Sequence, residues 1–310
     1  MDAHAKNECA GPGNKDGEIE AGPLGFPVDW CRPLFIYGTL MKGQPGFHQL
    51  EKFDPNIRLA RVKGRLAIRD GLPLLHPGAG GKVAGQLLTF SPDVQNDALR
   101  VICAFEPREL YEWCAVDTDD GVRANALKGI NIDKGGVEYL DAEGWELGFD
   151  PVFSSALNVV ESVAQSAQST LPFTSVPGEA LDWERAFRLQ MAYLLLWSII
   201  ERFSTLALGV LEKPTARVTK GFGRLKDVDE LIREAVPSEP REIFDSRDPG
   251  GRPIKLMKSN PVSAMKYYYA VRSNLSHRGK GAWKDANTVR LSLNELKQVM
   301  SSLFRNYCGA

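Results

Sequence analysis

The sequence predicts an α+β protein of two domains, a small β-barrel domain at residues 30–150 followed by an all-helical bundle at residues 179–310. Short β-favouring runs separated by turn signals such as Asp70-Gly71 fill the first part, as they do in small barrels. In the second part the apolar residues recur at helical spacing, beginning with a long run at Leu181–Leu211. A chain of 310 residues is long enough for two such domains.

Composition and charge place few constraints on the binding partners. The 38 Lys and Arg residues nearly balance the 39 Asp and Glu residues. No overall field therefore draws the chain to nucleic acid or membrane, although local patches remain open. The five cysteines are odd in number and form no C-x-x-C pair, which indicates neither a disulfide framework nor a zinc site. We expect no bound metal or cofactor and a reducing, cytoplasmic environment.

The apolar segments predict neither export nor a membrane partner. The first residues lack the basic-then-apolar order of a signal peptide. The longest apolar run, Met191–Ile200, has about half the length of a membrane span and is closed by Glu201-Arg202. We predict that this run is a core helix.

The first domain is predicted to contain short strands around one helix. Residues 1–29 are rich in Gly, Pro and charge and are predicted to be a disordered tail. Ser91-Pro92 is an N-cap followed by proline, which starts the helix, and Glu106 lies just beyond the helix end. A flexible turn is expected at Pro77–Gly81 and a hairpin turn at Asp119–Gly121. The predicted helix is Pro92–Ala104, and the predicted strands are Leu34–Tyr37, Leu59–Ile68, Lys82–Phe90, Glu112–Thr118 and Val122–Leu127.

A linker and four helices are predicted for the rest of the chain. Residues 151–178 shift to Ser, Ala, Gln and Thr and are predicted to be a linker, with weak helix or linker left open for Asn158–Ser169. An exposed loop is expected at residues 238–259, and Ser292-Leu-Asn-Glu295 is predicted to be the capping box of the last helix. The predicted helices are Leu181–Leu211, Leu225–Ala235, Asn260–His277 and the one that follows Ser292.

The stretch Pro33–Leu40 is the first candidate site. A β-favouring run ends in a glycine, and the successive N–H groups of Gly38, Thr39 and Leu40 can form a cradle for an anion or an oxyanion. A simple β-turn is the alternative. The carboxylate of Glu106 can act as a base beside such a cradle, and apolar neighbours would raise its pKa. A solvated residue at a helix end is the alternative for Glu106.

Residues Tyr37–Gln44 and Ala104-Phe105-Glu106-Pro107 resemble the gamma-glutamylcyclotransferase-like family, over about Pro33 to Lys128. The resemblance implies that Tyr37, Gly38, Thr39 and Leu40 bind the gamma-glutamyl group of a small molecule. It also implies that Glu106 is the catalytic acid and base, with 5-oxoproline as the product. The Asp that often precedes the catalytic Phe-Glu and the Arg of the following Tyr-x-Arg are both missing here. A pocket with a changed ligand, or a pseudoenzyme, is therefore an alternative.

The second candidate site is the stretch from Tyr267 to Lys280, which contains Arg272 and His277. Arg binds phosphate bidentately, and His can move the proton of a ribose hydroxyl, so the pair can cleave RNA without a metal. Five residues along a helix place the two about 140° apart. Convergence therefore requires the helix to end or bend near Ser276, or a second chain in a dimer. Packing by the three tyrosines is the alternative.

The Arg-x4-His segment resembles the HEPN superfamily, many of whose members are metal-independent ribonucleases that dimerise and serve in defence or toxin systems. The resemblance implies that Arg272 and His277 are catalytic, that Ser273, Asn274 and the upstream Glu201 support them, and that the helical domain forms a homodimer. Other members of the superfamily are inactive binding modules.

Three classes of function remain open. The first is an RNA-cleaving effector coupled to a cyclotransferase-like domain that binds or cyclises a gamma-glutamyl-type molecule. The second is a gamma-glutamylcyclotransferase-type lyase whose helical bundle serves for dimerisation. The third is a binding or assembly protein without catalysis. In the third, both sites are vestigial. The cyclotransferase-like assignment requires that the peptide nitrogens after Tyr37 face the same hollow as the carboxyl group of Glu106.

Overall fold

The computed structural model describes residues 24–132, 134–168, 183–209, 213–248, 250–277 and 286–308. The chain forms two compact units. The first contains the residues up to Tyr37 together with Leu50–Ala67 and Leu74–Gly144. The second contains Gly38–Gln49, Ile68–Pro73 and the residues from Trp145 onward.

The predicted α+β class is confirmed. The N-terminal region holds a curled sheet of six strands in the order β4-β5-β1-β3-β2-β6. The strands are β1 (Leu34–Ile36), β2 (Asn56–Arg69), β3 (Leu72–Thr89), β4 (Tyr111–Asp117), β5 (Arg123–Gly129) and β6 (Glu138–Tyr139). Strand β1 lies inside the sheet, antiparallel to β3 and parallel to β5, and its three residues are buried. The segment that leads into the candidate binding loop therefore starts from the core.

The β-hairpins form where turn chemistry allows them. Asp70 and Gly71 connect β2 to β3 with φ values of 51° and 76°, the left-handed pair that a two-residue hairpin requires. The predicted flexible turn at Pro77–Gly81 is wrong, because these residues lie within β3. Gly78 and Gly81 adopt φ values of 79° and 123° there. Glycine can take up such bends inside a strand without ending it.

One helix, α2 (Pro92–Phe105), follows the hairpin, as predicted. Ser91 is its N-cap residue, although the Ser91 side chain forms no capping hydrogen bond. The helix buries one face, with Leu99 and Ile102 at 3% and 0% exposure. At Glu106 the backbone leaves the helix with φ −90° and ψ 131°. Glu106 therefore stands at the carboxyl end of α2, as the sequence predicted. A short helix, α1 (His48–Glu51), precedes β2.

Only the last residues of the predicted tail are described. Residues 1–23 lie outside the described residues. The carbonyl of Gly25 accepts hydrogen bonds from Cys103 Sγ at 2.7 Å and from Trp113 Nε1 at 2.9 Å. The carbonyl of Asp29 accepts one from Asn125 Nδ2 at 2.7 Å. These bonds hold residues 25–29 against α2 and the β4–β5 hairpin.

The C-terminal part of the chain is helical. Its described helices are α3 (Leu157–Gln168), α4 (Trp183–Leu208), α5 (Pro214–Ala216), α6 (Lys226–Ala235), α7 (Pro261–His277) and α8 (Ala286–Cys308). Asn158–Ser169, left open between helix and linker, is helical to Gln168, while residues 169–182 lie outside the described residues. Helix α4 packs against α3, α7 and α8. Among the described residues one helix, Glu184–Leu208, is long and apolar enough to cross a membrane, and 56% of its most apolar window is buried.

Two element predictions in this part are wrong. The expected loop at residues 238–259 contains an antiparallel pair, β7 (Arg241–Ile243) and β8 (Ile254–Leu256). Helix α8 begins at Ala286, so the predicted capping box at Ser292 lies inside it. Ser292 is fully buried, and Glu295 binds Arg241 and Tyr268 instead of a helix N-terminus. Tertiary partners therefore determine the roles of these polar residues.

Candidate functional sites

The side chain of Tyr37 is fixed by two main-chain hydrogen bonds within the first unit. Its hydroxyl donates to the carbonyl of Leu127 at 2.6 Å and accepts from the N–H of Leu75 at 3.1 Å. Only 6% of the residue is exposed. Burial raises the pKa of Tyr37, and the negative charge of Glu106 raises it further, while the hydrogen bond from Leu75 lowers it. Tyr37 is therefore a neutral phenol that holds the end of β1 in place.

Glu106 has the chemistry that acid and base catalysis requires. Its N–H continues the helix by donating to the carbonyl of Ile102 at 3.0 Å. The residue keeps intermediate exposure, yet burial of its carboxyl group raises the pKa from 4.5 to about 8. A carboxyl group with such a pKa both accepts and releases protons near neutral pH. The charge of Glu106 also raises the pKa of Tyr37, although less than burial does.

Cys114 is a further residue with an influence on Tyr37, and the sequence analysis missed it. On β4, Cys114 is the pairing partner of Ala126, next to Leu127. Only in its ionised form does it raise the pKa of Tyr37, after burial and Glu106. Burial raises the pKa of Cys114 to about 11, so the thiol is protonated near neutral pH. Alternation along the predicted strand Glu112–Thr118 was the signal that would have placed Cys114 on one face of the sheet.

The loop after Tyr37 belongs to the second unit and is folded back on itself. The carbonyl of Gly38 accepts from the N–H of Met41 at 3.0 Å, and that of Thr39 accepts from the N–H of Gly46 at 2.9 Å. Thr39 and Leu40 are 6% and 3% exposed. Within the described part of the chain, the N–H groups of Thr39 and Leu40 have no main-chain partner. Two adjacent donors of this kind can bind an oxyanion or a carboxylate.

Gly38 is required by close packing. A Cβ atom at this position would lie 2.6 Å from Cγ of Pro73, closer than carbon atoms approach each other. Because any other residue would displace the loop from Pro73, the contact explains the glycine that the sequence analysis placed in the binding loop.

Helix α7 carries the second predicted site. Arg272 is partly exposed, and its buried Nε has no hydrogen-bond partner among the described residues. Ser273 is fully buried. Asn274 accepts from the N–H of Ser246 at 2.8 Å and donates to the carbonyl of Phe244 at 2.9 Å, so its amide holds the loop after β7. His277 is the last described residue of α7, and residues 278–285 lie outside the described residues.

The carboxylate of Glu201 has a partner on its own helix. Trp197 Nε1 donates to Glu201 Oε1 at 2.8 Å. This hydrogen bond joins the carboxylate of Glu201 to Trp197 and not to Arg272, the residue that Glu201 was predicted to support.

A polar cluster beside α7 was missed by the sequence analysis. The hydroxyl of Tyr268 donates to Glu295 at 2.9 Å, and Arg241 pairs with the same carboxylate. Burial raises the pKa of Glu295, while Arg241 and Tyr268 lower it. The guanidinium of Arg241 also lies 5.6 Å from the ring centroid of Tyr267. Tyr267 and Tyr268, each 1% exposed, thus serve packing and this cluster.

No metal site is formed by the part of the chain that the structure describes. It contains no group of three or more His, Cys, Asp or Glu residues that could hold an ion.

The comparisons with known proteins agree with the N-terminal prediction. Residues 34–128 match the family described as "Gamma-glutamyl cyclotransferase, AIG2-like". The match contains Tyr37, the Gly38–Leu40 loop and Glu106. A comparison with curated proteins found no match.

Three solved structures are similar to parts of the chain. The uncharacterized protein PH0828 from Pyrococcus horikoshii is 19% identical, with 36% of this chain and 88% of that chain covered and a TM-score of 0.30. The uropathogenic Escherichia coli protein c4763 is 18% identical, with coverages of 35% and 87% and a TM-score of 0.30. The selenomethionine-substituted allophanate hydrolase of Kluyveromyces lactis is 16% identical, with coverages of 35% and 19% and a TM-score of 0.31. The chain thus spans about a fifth of the length of that hydrolase.

Proposed function

We propose that residues 34–128 bind a gamma-glutamyl-type small molecule and cyclise it, with release of 5-oxoproline and with Glu106 as the acid and base. The main support is the partly exposed Glu106, whose buried carboxyl group has its pKa raised to about 8. The family match over residues 34–128 supports this choice of substrate class. The N–H groups of Thr39 and Leu40, which the family resemblance assigns to the binding loop, have no main-chain partner among the described residues, and main-chain N–H groups of this kind can bind a carboxylate.

The reaction moves two protons from the attacking amine to the leaving amine. Glu106 takes one proton from the α-ammonium of the gamma-glutamyl group, and the free amine attacks the γ-carbonyl carbon. The oxyanion that forms needs hydrogen-bond donors. As the bond to the leaving amine breaks, Glu106 gives its proton to that amine and then carries the second proton of the attacking nitrogen to it. The products are the five-membered lactam and the leaving amine as its ammonium.

The sequence departs from the family's pattern on both sides of Glu106. The proposal therefore has a second version, in which the site binds its ligand without turnover. Ile102-Cys103-Ala104 lacks the Asp, and Tyr111-Glu112-Trp113 lacks the Arg that often flank the catalytic glutamate. Glu112 instead pairs with Lys128 at 2.9 Å. A site that binds a related molecule without turnover is therefore the non-catalytic alternative, and binding and turnover must be measured separately.

The test is Glu106→Gln, assayed for 5-oxoproline release from γ-glutamyl-alanine and for binding by calorimetry. The change keeps the shape of the side chain and removes its proton transfer, so we expect turnover to fall by about 10²-fold or more with binding largely kept. Glu109→Gln is the matched control, because Glu109 is 72% exposed at its side chain and lies three residues away. Equal turnover in wild type and Glu106→Gln would refute the catalytic role. Binding without turnover in wild type would support the binding-only version.

A second function is proposed for the helical part, namely RNA cleavage of the HEPN type by Arg272 and His277. One observation favours it: Arg272 is partly exposed, and its Nε forms no hydrogen bond among the described residues, so that this nitrogen is not committed to another acceptor. Because α7 continues to His277, a homodimer that brings two copies of the motif together is part of this proposal. A defence or toxin role, RNA as partner and a cytoplasmic location belong to the same proposal.

RNA cleavage is tested with purified protein and a labelled RNA, by detection of fragments that end in a cyclic phosphate. We expect Arg272→Ala and His277→Ala each to abolish cleavage. Lys266→Ala, an exposed position on the same helix, should cleave as wild type. If wild type and both variants release the same fragments, a contaminating nuclease is responsible and the proposal is wrong. Sedimentation then tells whether the helical part serves only for dimerisation.

A further inference from the structure

We propose that Arg202, near the carboxyl end of α4, is a positioning residue for the segment Gly38–Gln49, whose first residues form the candidate binding loop. Arg202 does this through Asp150 and through the turn Ile68–Pro73. All these residues belong to the second unit. The consequence for ligand affinity rests on the proposed function, whereas the positioning itself does not.

The first step is the ion pair at the turn between β2 and β3. Arg202 Nε donates to Asp150 Oδ2 at 2.7 Å, and a second guanidinium nitrogen of Arg202 donates to the carbonyl of Asp70. The side chain of Asp150 is only 1% exposed, and that of Arg202 is 21% exposed. A carboxylate buried this deeply needs its cation. The position of the Asp70 carbonyl is therefore tied to α4.

The second step is the packing of Gly71 on the same carboxylate. A Cβ atom at Gly71 would lie 2.4 Å from Cγ of Asp150. The other carboxylate oxygen, Asp150 Oδ1, accepts a hydrogen bond from the N–H of Val152 at 3.0 Å. Trp145 Nε1 donates to the carbonyl of Gly71 at 3.3 Å. The turn is thus held by the ion pair of Arg202 with Asp150, by the close packing of Gly71 on Asp150 and by the hydrogen bond from the Trp145 indole.

The third step leads from the turn to the loop. Pro73, two residues after Gly71, is the residue that Gly38 touches, with 2.6 Å between Cγ of Pro73 and a Cβ built at Gly38. Proline is stiff because its ring fixes φ. A shift of the turn therefore shifts the backbone of Gly38, the first residue of the loop.

A second line of contacts runs from the end of α4 to the other end of the segment. Gln49 Nε2 donates to the carbonyl of Ala207 at 3.2 Å, which satisfies one of the last carbonyls of the helix. Helix α4 also packs against the tight turn Pro45–Phe47, and Gly46 within that turn bonds back to the carbonyl of Thr39 at 2.9 Å. The segment is held by α4 from both ends.

The proposal is tested on the full chain by amide hydrogen exchange. The double variant Arg202→Met with Asp150→Asn removes both charges, so that no uncompensated charge stays buried. We expect the amides of residues 38–49 to exchange about tenfold faster, while those of α2 keep their wild-type rates. Arg188→Met is the matched control on α4, because the Arg188–Glu184 pair is exposed at 58% and 76%. Unchanged exchange at residues 38–49, or an equal rise throughout the chain, overturns the proposal.

Two further measurements separate positioning from general support. Gln49→Ala removes the second line of contacts and should speed the exchange of the same segment. Arg202→Lys keeps the charge and should retain most of the protection from exchange that the double variant loses.

The kinetics of the double variant are a separate test. With γ-glutamyl-alanine the double variant should show KM raised about tenfold with a smaller change in kcat, and an unchanged KM counts against the proposal. If wild type neither binds nor turns over γ-glutamyl-alanine, the proposed function fails, and the exchange data still decide the positioning.

Discussion

Burial and then the charge of Glu106 raise the pKa of Tyr37, whose hydroxyl is bound between the carbonyl of Leu127 and the N–H of Leu75. A titrating carboxyl group thus acts electrostatically on a phenol that cannot move without breaking two main-chain hydrogen bonds. This relationship joins the chemistry of the site to the stability of the sheet.

Cyclotransferase activity should depend on pH through Glu106. As a base, Glu106 must be ionised, and its pKa is about 8. Turnover at limiting substrate should therefore rise about tenfold per pH unit up to that value and level off above it. A pH profile of kcat/KM for γ-glutamyl-alanine measures this. A profile that is flat between pH 6 and 8 would mean that Glu106 is not the base.

Stability should fall as Glu106 ionises. Its pKa is higher in the folded protein, about 8, than its ordinary 4.5, so the folded state binds more protons between these values. By linkage, the free energy of unfolding decreases as pH rises through this window. Glu106→Gln lacks the charge, so its melting temperature relative to wild type should be higher at pH 9 than at pH 5. Denaturation scans at the two pH values measure the difference, which should be zero for Glu109→Gln.

Tyr37→Phe should destabilise the protein by about 1–3 kcal/mol, because it leaves a buried carbonyl and a buried N–H without their partner. The matched control is Tyr139→Phe. Tyr139 is 40% exposed and its hydroxyl bonds to His76 at 2.7 Å, so water can replace the lost bond and the cost should stay below about 0.5 kcal/mol. Urea unfolding measures both. Equal effects of the two changes would contradict the structural role of Tyr37.

Gly71→Ala should cost about 2–4 kcal/mol, since it adds a contact with the buried Asp150 to the strain of a left-handed backbone. Gly121→Ala separates the two effects. Gly121 has nearly the same φ, 81° against 76°, but open space where its Cβ would lie. Its replacement should cost about 1–2 kcal/mol. Similar losses of unfolding free energy at both positions would show that the packing on Asp150 contributes little.

Local chemistry made much of the fold predictable. Ser91-Pro92 and Asn260-Pro261 precede helices as predicted, and Asp119-Asp120-Gly121 connects β4 to β5. The errors fall where glycines bend a strand without ending it, at Pro77–Gly81, and where a polar residue is used by a distant partner, as Glu295 is by Arg241. Neither outcome can be read from neighbours in the chain.

The sequence by itself determined the α+β class, the position of Glu106 just past a helix and the glycine after the first strand, because these depend on neighbouring residues and backbone chemistry. Only the tertiary structure decided that the hydroxyl of Tyr37 is occupied by the main chain, that the carboxyl group of Glu106 is desolvated and that Arg202 reaches Asp150. The physical reason is that burial and partnership are set by atoms far apart in sequence. Arg202 and Asp70 are separated by 132 residues.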